Sequence, residues 1–155
     1  MSTIENVREY LQALGLADGI LEFPVSSATV ELAAQAAGVI PARIAKTLSF
    51  ALPDGPILVV AAGDAKVDNP RFKAQFHAKA KMLGHDEVFA AIGHEVGGVC
   101  PCAIKPEVRV YLDVSLKRFE TVFPACGSAN SAIELTCDQL EAAAQGFSGW
   151  VDVCK

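Results

Sequence analysis

The stretch Ile44-Ala45-Lys46-Thr47-Leu48-Ser49-Phe50-Ala51-Leu52-Pro53-Asp54-Gly55-Pro56-Ile57-Leu58-Val59-Val60-Ala61-Ala62 decides the fold. Two apolar runs flank Pro53-Asp54-Gly55, three residues that favour a turn. Strands are therefore predicted over Ile44–Leu52 and Ile57–Ala62. Alternate residues of a strand share a face. In the first run Ile44, Lys46, Leu48, Phe50 and Leu52 share one face, and Ala45, Thr47, Ser49 and Ala51 share the other. The bulky face reads as the core side, which turns Lys46 toward the interior. Desolvating an unpaired ammonium costs several kcal/mol, so Lys46 requires an anion, a cleft or water, or else must snorkel outward from the start of the strand. At a pocket's edge such a lysine can anchor a phosphate or polarise a carbonyl. Phe50 reads as core or pocket lining, and Thr47, on the opposite face, as structural.

Working outward, Thr3 caps a helix whose Ile4, Val7, Leu11 and Leu14 form one face, ended by Gly15. Ile20–Val25 reads as a strand, and Ser26, Ser27 and Thr29 offer caps for a helix through Ala37, stopped by Gly38. Pro70 suits the first turn of a helix over Arg71–His77. A short strand is expected over Ala80–Leu83 and a helix over Asp86–Ile92. Strands follow at Val108–Asp113, Glu120–Ala125 and Ser131–Leu135. Thr136 caps a helix through Gln145, and Trp150–Val153 reads as a final strand. Many short strands mixed with helices, without regular alternation, predict an α/β fold with a mixed sheet or open barrel.

The 155 residues fit one domain spanning 1–155, and 52% apolar against 20% charged residues supply a core and argue against disorder. No apolar run reaches the 18 or so residues of a membrane helix, and Met1–Glu5 does not begin a signal peptide, so no membrane partner is expected and the cytoplasm is the expected location. Five cysteines, an odd number, read as reduced thiols. They lack zinc-ligand spacing, as do His77, His85 and His94, so neither a metal nor a cofactor is expected.

Net charge is −5, which argues against indiscriminate nucleic-acid binding. One segment differs: residues 66–81 hold Lys66, Arg71, Lys73, Lys79 and Lys81 against Asp68 alone. A basic stretch on an acidic protein suits a local phosphate contact or a solvated helix face.

The loop Gly93–Ile104 contains Gly97-Gly98-Val99-Cys100-Pro101. Paired glycines allow positive φ and close approach of main chain to a ligand, Pro101 stiffens the exit, and successive N–H groups can face an oxyanion. The loop lacks the endings of a P-loop or a dinucleotide fingerprint. Cys100 is a candidate nucleophile, but the sequence places no histidine beside it, which favours a small pocket-lining thiol.

Taken together, Arg43-Ile-Ala-Lys46-Thr47-Leu with the strand Ile57-Leu-Val-Val-Ala-Ala, the Gly97–Pro101 loop, Val110-Tyr-Leu-Asp113-Val-Ser-Leu116, and Gly127-Ser128 followed by Ile133-Glu-Leu-Thr resemble the YbaK and prolyl-tRNA-synthetase-associated editing domains. The ordered set spans roughly residues 20 to 150. The resemblance implies a twisted, partly closed mixed sheet with flanking helices. It also implies hydrolysis of the ester that joins a wrong amino acid to the tRNA 3′ end, without a metal or a protein nucleophile.

On this resemblance Lys46, Gly97 and Gly98 are the catalytic candidates. Phe50, Val99, Cys100, Pro101, Asp113, Gly127 and Ser128 are substrate-binding candidates, Asp113 having a strand-end hydrogen bond as its structural reading. Lys66, Arg71 and Lys73 are candidates for tRNA contact. The expected partner is the acceptor end of an aminoacyl-tRNA, with a synthetase as a second. Two departures, Cys100-Pro-Cys-Ala103 and Ala129-Asn-Ser131, alter the family's pocket wall and last loop. The expected substrate is mischarged tRNA(Pro) carrying Cys, Ala or another small residue. Competing readings are a non-catalytic module that binds aminoacyl-tRNA or a synthetase, and a thiol-redox protein using Cys100 and Cys102.

Overall fold

The computed structural model describes residues 3–155. Helix α1 (Thr3–Ala13) turns Val7 and Leu11 into the core, and strand β1 (Ile20–Glu22) follows. Helix α2 (Val30–Ala37) starts where the Thr29 side chain accepts from the Leu32 N–H and stops at Gly38, whose φ of 73° is left-handed. The predicted pair of strands is β2 (Ile44–Leu52) and β3 (Gly55–Ala62). Helix α3 (Asn69–Phe76) is capped by the Asp68 side chain and ends at His77, φ 59°. Helix α4 (Val88–Ile92) and strands β4 (Arg109–Asp113), β5 (Thr121–Pro124), β6 (Ser131–Ile133) and β7 (Leu135–Thr136) come next. Helix α5 (Cys137–Ala143) opens with a reciprocal capping box between Thr136 and Gln139, and β8 (Phe147–Val151) closes the chain order.

Six strands form one curled, partly closed mixed sheet in the order β7-β5-β2-β3-β4-β8, and β1 and β6 form a separate antiparallel pair. The spine is the antiparallel β2–β3 ladder, running from Ala45↔Ala62 to Leu52↔Gly55. β3 pairs with β4 and β4 with β8 in parallel. On its other edge β2 changes partner along its length. Ile44 and Ala45 pair with Phe123 and Pro124 of β5. Further along, Phe50 bridges to Met82, Leu83 N donates to Ser49 O at 3.1 Å and Ala51 N donates to Lys81 O at 2.8 Å. Among the described residues, nothing pairs with the outer edge of β2 from Lys46 to Leu48.

The elements follow the sequence pattern, with local differences. The strand expected over Ile20–Val25 stops at Glu22, ahead of Pro24. Ala80–Leu83 supplies only the bridge at Met82. Ser131–Leu135 divides into β6, paired with β1, and β7, paired with β5. The last strand begins at Phe147 rather than Trp150. Both faces of β2 carry buried residues, Phe50 on one and Ala45 and Ser49 on the other, so the face of Lys46 is not uniquely the core side. No helix of the described residues is long and apolar enough to cross a membrane.

One side of the sheet is sealed by a chain of aromatic rings. Phe72 of α3 lies 4.8 Å from Phe50 and 4.7 Å from Phe76, and Phe76 lies 4.9 Å from Tyr111. Phe72 is fully buried at the centre of this chain. Truncating a buried phenylalanine to alanine costs about 3–5 kcal/mol through lost transfer energy and the cavity left behind. Phe72→Ala is therefore expected to lower the thermal midpoint by on the order of 10 °C. Calorimetry checks this, and a shift of only a degree or two would show that α3 does not hold the sheet.

Candidate active site

Where β2 changes partner, a cavity of about 330 Å³ opens. Its walls come from three directions: Phe123 and Ala125 at the β5 side, Met82, Leu83, His85 and Val88 at the other, and Ser27–Val30 with Val96, Gly97 and Val99 across from the strand. Lys46, Thr47 and Ser49 form the β2 wall.

Lys46 Nζ donates to Gly63 O at 3.3 Å and to Ala65 O. An ammonium has three N–H donors. Two are committed to the chain leaving β3, which fixes the head group beside the cavity and leaves one donor for a ligand. The charge thus meets two main-chain carbonyls as well as the cleft expected for it. Burial lowers the Lys46 pKa, partly countered by Cys154, Asp64 and Glu31, while Lys66 adds to the lowering.

The glycine loop forms the facing wall. Gly97 has φ 96°, and a Cβ there would lie 3.2 Å from Ala28 Cβ. Gly98 packs edge-on against main chain: a Cβ would meet Gly127 C and Ser128 N at 2.6 Å. Gly98, Gly127 and Ser128, three of the candidates, therefore form one close contact behind the wall, with the Thr3 hydroxyl donating to Gly127 O. The loop's exit is pinned as well: Gln145 N donates to Pro101 O at 2.8 Å, and the Gln145 side chain brackets Ile104 through Oε1 and Nε2.

Several candidates lie elsewhere than expected. Phe50 is 2% exposed, stacked on Phe72, and does not line the cavity. Cys100 is fully buried behind the wall, so it is not the pocket-lining thiol anticipated. A histidine does stand beside it: His94 Nε2 lies 3.6 Å from Cys100 Sγ and 2.7 Å from Cys102 O. A carbonyl only accepts, so Nε2 carries the proton, and Nδ1 is buried without a partner. Hydrogen bonds with Cys102 and His94 pull the Cys100 thiol below its usual range, and Cys102 moves the opposite way. Burial keeps both thiols from the cavity, as it does Cys126; all five cysteines are free.

Asp113 is 1% exposed and serves as a strand-end clamp, accepting from Ser115 N and Val153 N at 2.9 Å. It faces a second depression, with Asp64 and Arg118, rather than the main cavity. Arg71 reaches Cys154 O at 2.5 Å and Asp152 at 3.3 Å, so it clasps the C-terminal segment. Neither it nor Lys66 nor Lys73 lines the cavity. Of the sequence candidates, Lys46, Gly97 and Val99 meet there. Ser27, Thr47, Ser49, Met82, His85 and Phe123 also line it and were not singled out as site residues. The signal Thr47 carried was its place next to Lys46 on a strand that gives the cavity residues from both of its faces.

A family model described as "Aminoacyl-tRNA editing domain" matches residues 25–143. The chain is 52% identical over 155 residues to the uncharacterized protein YwhH of Bacillus subtilis (strain 168), covering 99% of this chain and 98% of that protein. It is 28% identical over 109 residues, 69% of this chain and 66% of the other, to EbsC of Enterococcus faecalis (strain ATCC 700802 / V583), which carries a provisional Cys-tRNA(Pro)/Cys-tRNA(Cys) deacylase name. A crystal structure provisionally described as a trans-editing enzyme for prolyl tRNA synthetase superposes with TM-score 0.87 at 25% identity, over 100% of this chain and 98% of that one.

The Lys46 environment makes a direct prediction. Because burial disfavours the ammonium, the proton should leave at lower pH than from an ordinary lysine, 10.5. In a ¹³Cε-lysine NMR titration, a resonance assigned by its loss in Lys46→Arg is expected to titrate with a midpoint below 10.5. A midpoint at or above that value would mean the head group is solvated or ion-paired instead.

Proposed function

The chain belongs to the aminoacyl-tRNA editing domain family, and we propose that it is a trans-acting deacylase that hydrolyses the ester of a mischarged tRNA. The observation that carries this reading is that Lys46, its head group held by two main-chain carbonyls, and the loop residues Gly97 and Val99 line the same cavity.

An aminoacyl ester is already activated, so positioning and charge stabilisation can supply much of the acceleration. The attacking oxygen is that of a water, which gives its proton to the neighbouring ribose hydroxyl or to solvent as it adds to the ester carbonyl. The tetrahedral oxyanion then collapses as the ribose oxygen leaves with a proton. Lys46 holds the terminal phosphate or the carbonyl region with its remaining donor, and main-chain N–H groups of the Gly97 loop face the developing oxyanion. Neither step needs a protein nucleophile, consistent with Cys100 lying behind the wall. Gly98 acts through packing: its contact with Gly127 and Ser128 keeps Gly97 at the cavity. Lys66 and Lys73 remain for phosphate contact along the acceptor end, whereas Arg71 is engaged at the C-terminal segment.

The relatives' names make tRNA(Pro) the first tRNA to assay, carrying Cys, Ala or another small amino acid. A small apolar difference is worth only about 1–3 kcal/mol in a pocket, which gives a separate checking enzyme its physical rationale. The alternative is a module that grips aminoacyl-tRNA, or a synthetase, without cleaving it.

In a deacylation panel of mischarged tRNA(Pro) species, the wild type is expected to release the amino acid. Lys46→Ala, with its fold checked by circular dichroism, is expected to fall by about a hundredfold or more in kcat/KM, the scale of losing one charge-stabilising donor. Full activity in Lys46→Ala would remove the proposed mechanism. Binding without turnover on every ester would favour the non-catalytic module.

A further inference from the structure

Two hydroxyls in the cavity wall have no hydrogen-bond partner among the described residues. Ser27 is 7% exposed, and both Ser27 Oγ and Thr47 Oγ1 are buried without a hydrogen bond among the described residues. Both residues line the cavity, and they reach it from independent elements. The Ser27 N–H donates to Ala129 O at 2.6 Å, which sets the segment ahead of α2 against Gly97, where the missing side chain admits Ala28. Thr47 comes from β2, at the stretch whose outer edge lacks a strand partner. Nearby hydroxyls behave differently: Ser131 Oγ is met by Ser128 Oγ at 2.7 Å, and Thr29 caps α2.

A buried hydroxyl without a partner is costly and uncommon, so two on one wall imply a ligand group that completes them. The wall says what kind of group. Around them stand Ile44, Ala45, Val88, Val99 and Phe123, and no carboxylate is among the lining residues described. The charged or titratable side chains that line it are Lys46 and His85. This suits a small neutral group that both donates and accepts, set in an apolar surround, and disfavours a cation.

We propose that Ser27 and Thr47 are specificity-determining residues that read a hydroxyl on the acyl group, so that the preferred esters carry a small β-hydroxy amino acid. This rests on the deacylase reading. The energetics favour such a device. A site that hydrogen-bonds a substrate hydroxyl rejects the analogue lacking it far more strongly than an apolar pocket rejects one methyl group. The competing occupant is the α-amino group, which every aminoacyl ester carries and which would make the two hydroxyls indifferent to the side chain.

The test uses two near-isosteric pairs, seryl- against alanyl-tRNA(Pro) and threonyl- against valyl-tRNA(Pro), chemically charged. They are assayed with wild type, Ser27→Ala and Thr47→Val, with thermal midpoints measured in parallel. The wild type is expected to favour the hydroxylated ester of at least one pair by tenfold or more in kcat/KM, and each variant to bring that ratio toward one. A wild-type ratio near one, or favouring the apolar esters, overturns the proposal. So does a loss in the variants that is equal for all four esters, which would assign the hydroxyls to the α-amine. If a variant does not fold, the wild-type ratios decide. Activity on cysteinyl- or alanyl-tRNA without discrimination sinks this inference alone, whereas inertness on every ester sinks the deacylase reading with it.

Discussion

The site depends on a strand that runs out of neighbours. β2 is held from Ala45 to Leu52 by β3, yet its other edge is shared between β5 at Ile44 and Ala45 and the Met82 segment from Ser49 onward. A strand edge left bare exposes main-chain donors and acceptors, and proteins cover such edges or put them to use. Here the interval between the two partners is where the cavity opens, with Lys46 and Thr47 in its wall. The β2–β3 ladder makes this possible, because it fixes Lys46 relative to Gly63 and Ala65 across one turn of chain and so positions a charge that would otherwise be unstable there.

The facing wall is built on a different principle. The Gly97 loop carries no regular structure, and its position is imposed from behind. Gly98 presses against Gly127 and Ser128, Gln145 grips Pro101 and Ile104, and His94 ties its ring to Cys102. The thiols around His94 are enclosed, so the Cys100–Pro101–Cys102 stretch acts as a foundation for the loop. Exposed redox chemistry would need those sulfurs at the surface, and both are buried.

Most of the fold was legible from local signals. The Ile44–Ala62 pattern, the Thr29 and Thr136 caps and the Gly38 stop are each expressed within a few residues, and each appears where those residues place it. Strand partnership was less legible, since pairing is decided by residues far apart: Ser131–Leu135 looks like one strand and divides between β1 and β5. The site was legible where a residue was chemically out of place, as with Lys46 and the paired glycines. It was hidden where residues look ordinary. Ser27 and Thr47 are unremarkable in sequence and become informative only when the enclosure leaves their hydroxyls unmatched. His94 and Cys100 are six residues apart on an irregular loop, a separation that fixes no distance; the folded loop brings them to 3.6 Å.

The Met82 segment has a consequence of its own. It forms part of the cavity's outer rim, but its main-chain ties to the sheet among the described residues are one bridge and two hydrogen bonds, and Met82 itself is 55% exposed. The Met82 side chain can be exchanged without disturbing the ladder that carries the lysine, whereas Leu83 packs against the core. The architecture thus separates a fixed floor from a replaceable lip, so that selection could retune which guests enter while the load of holding the domain together stays on the opposite edge of the same strand.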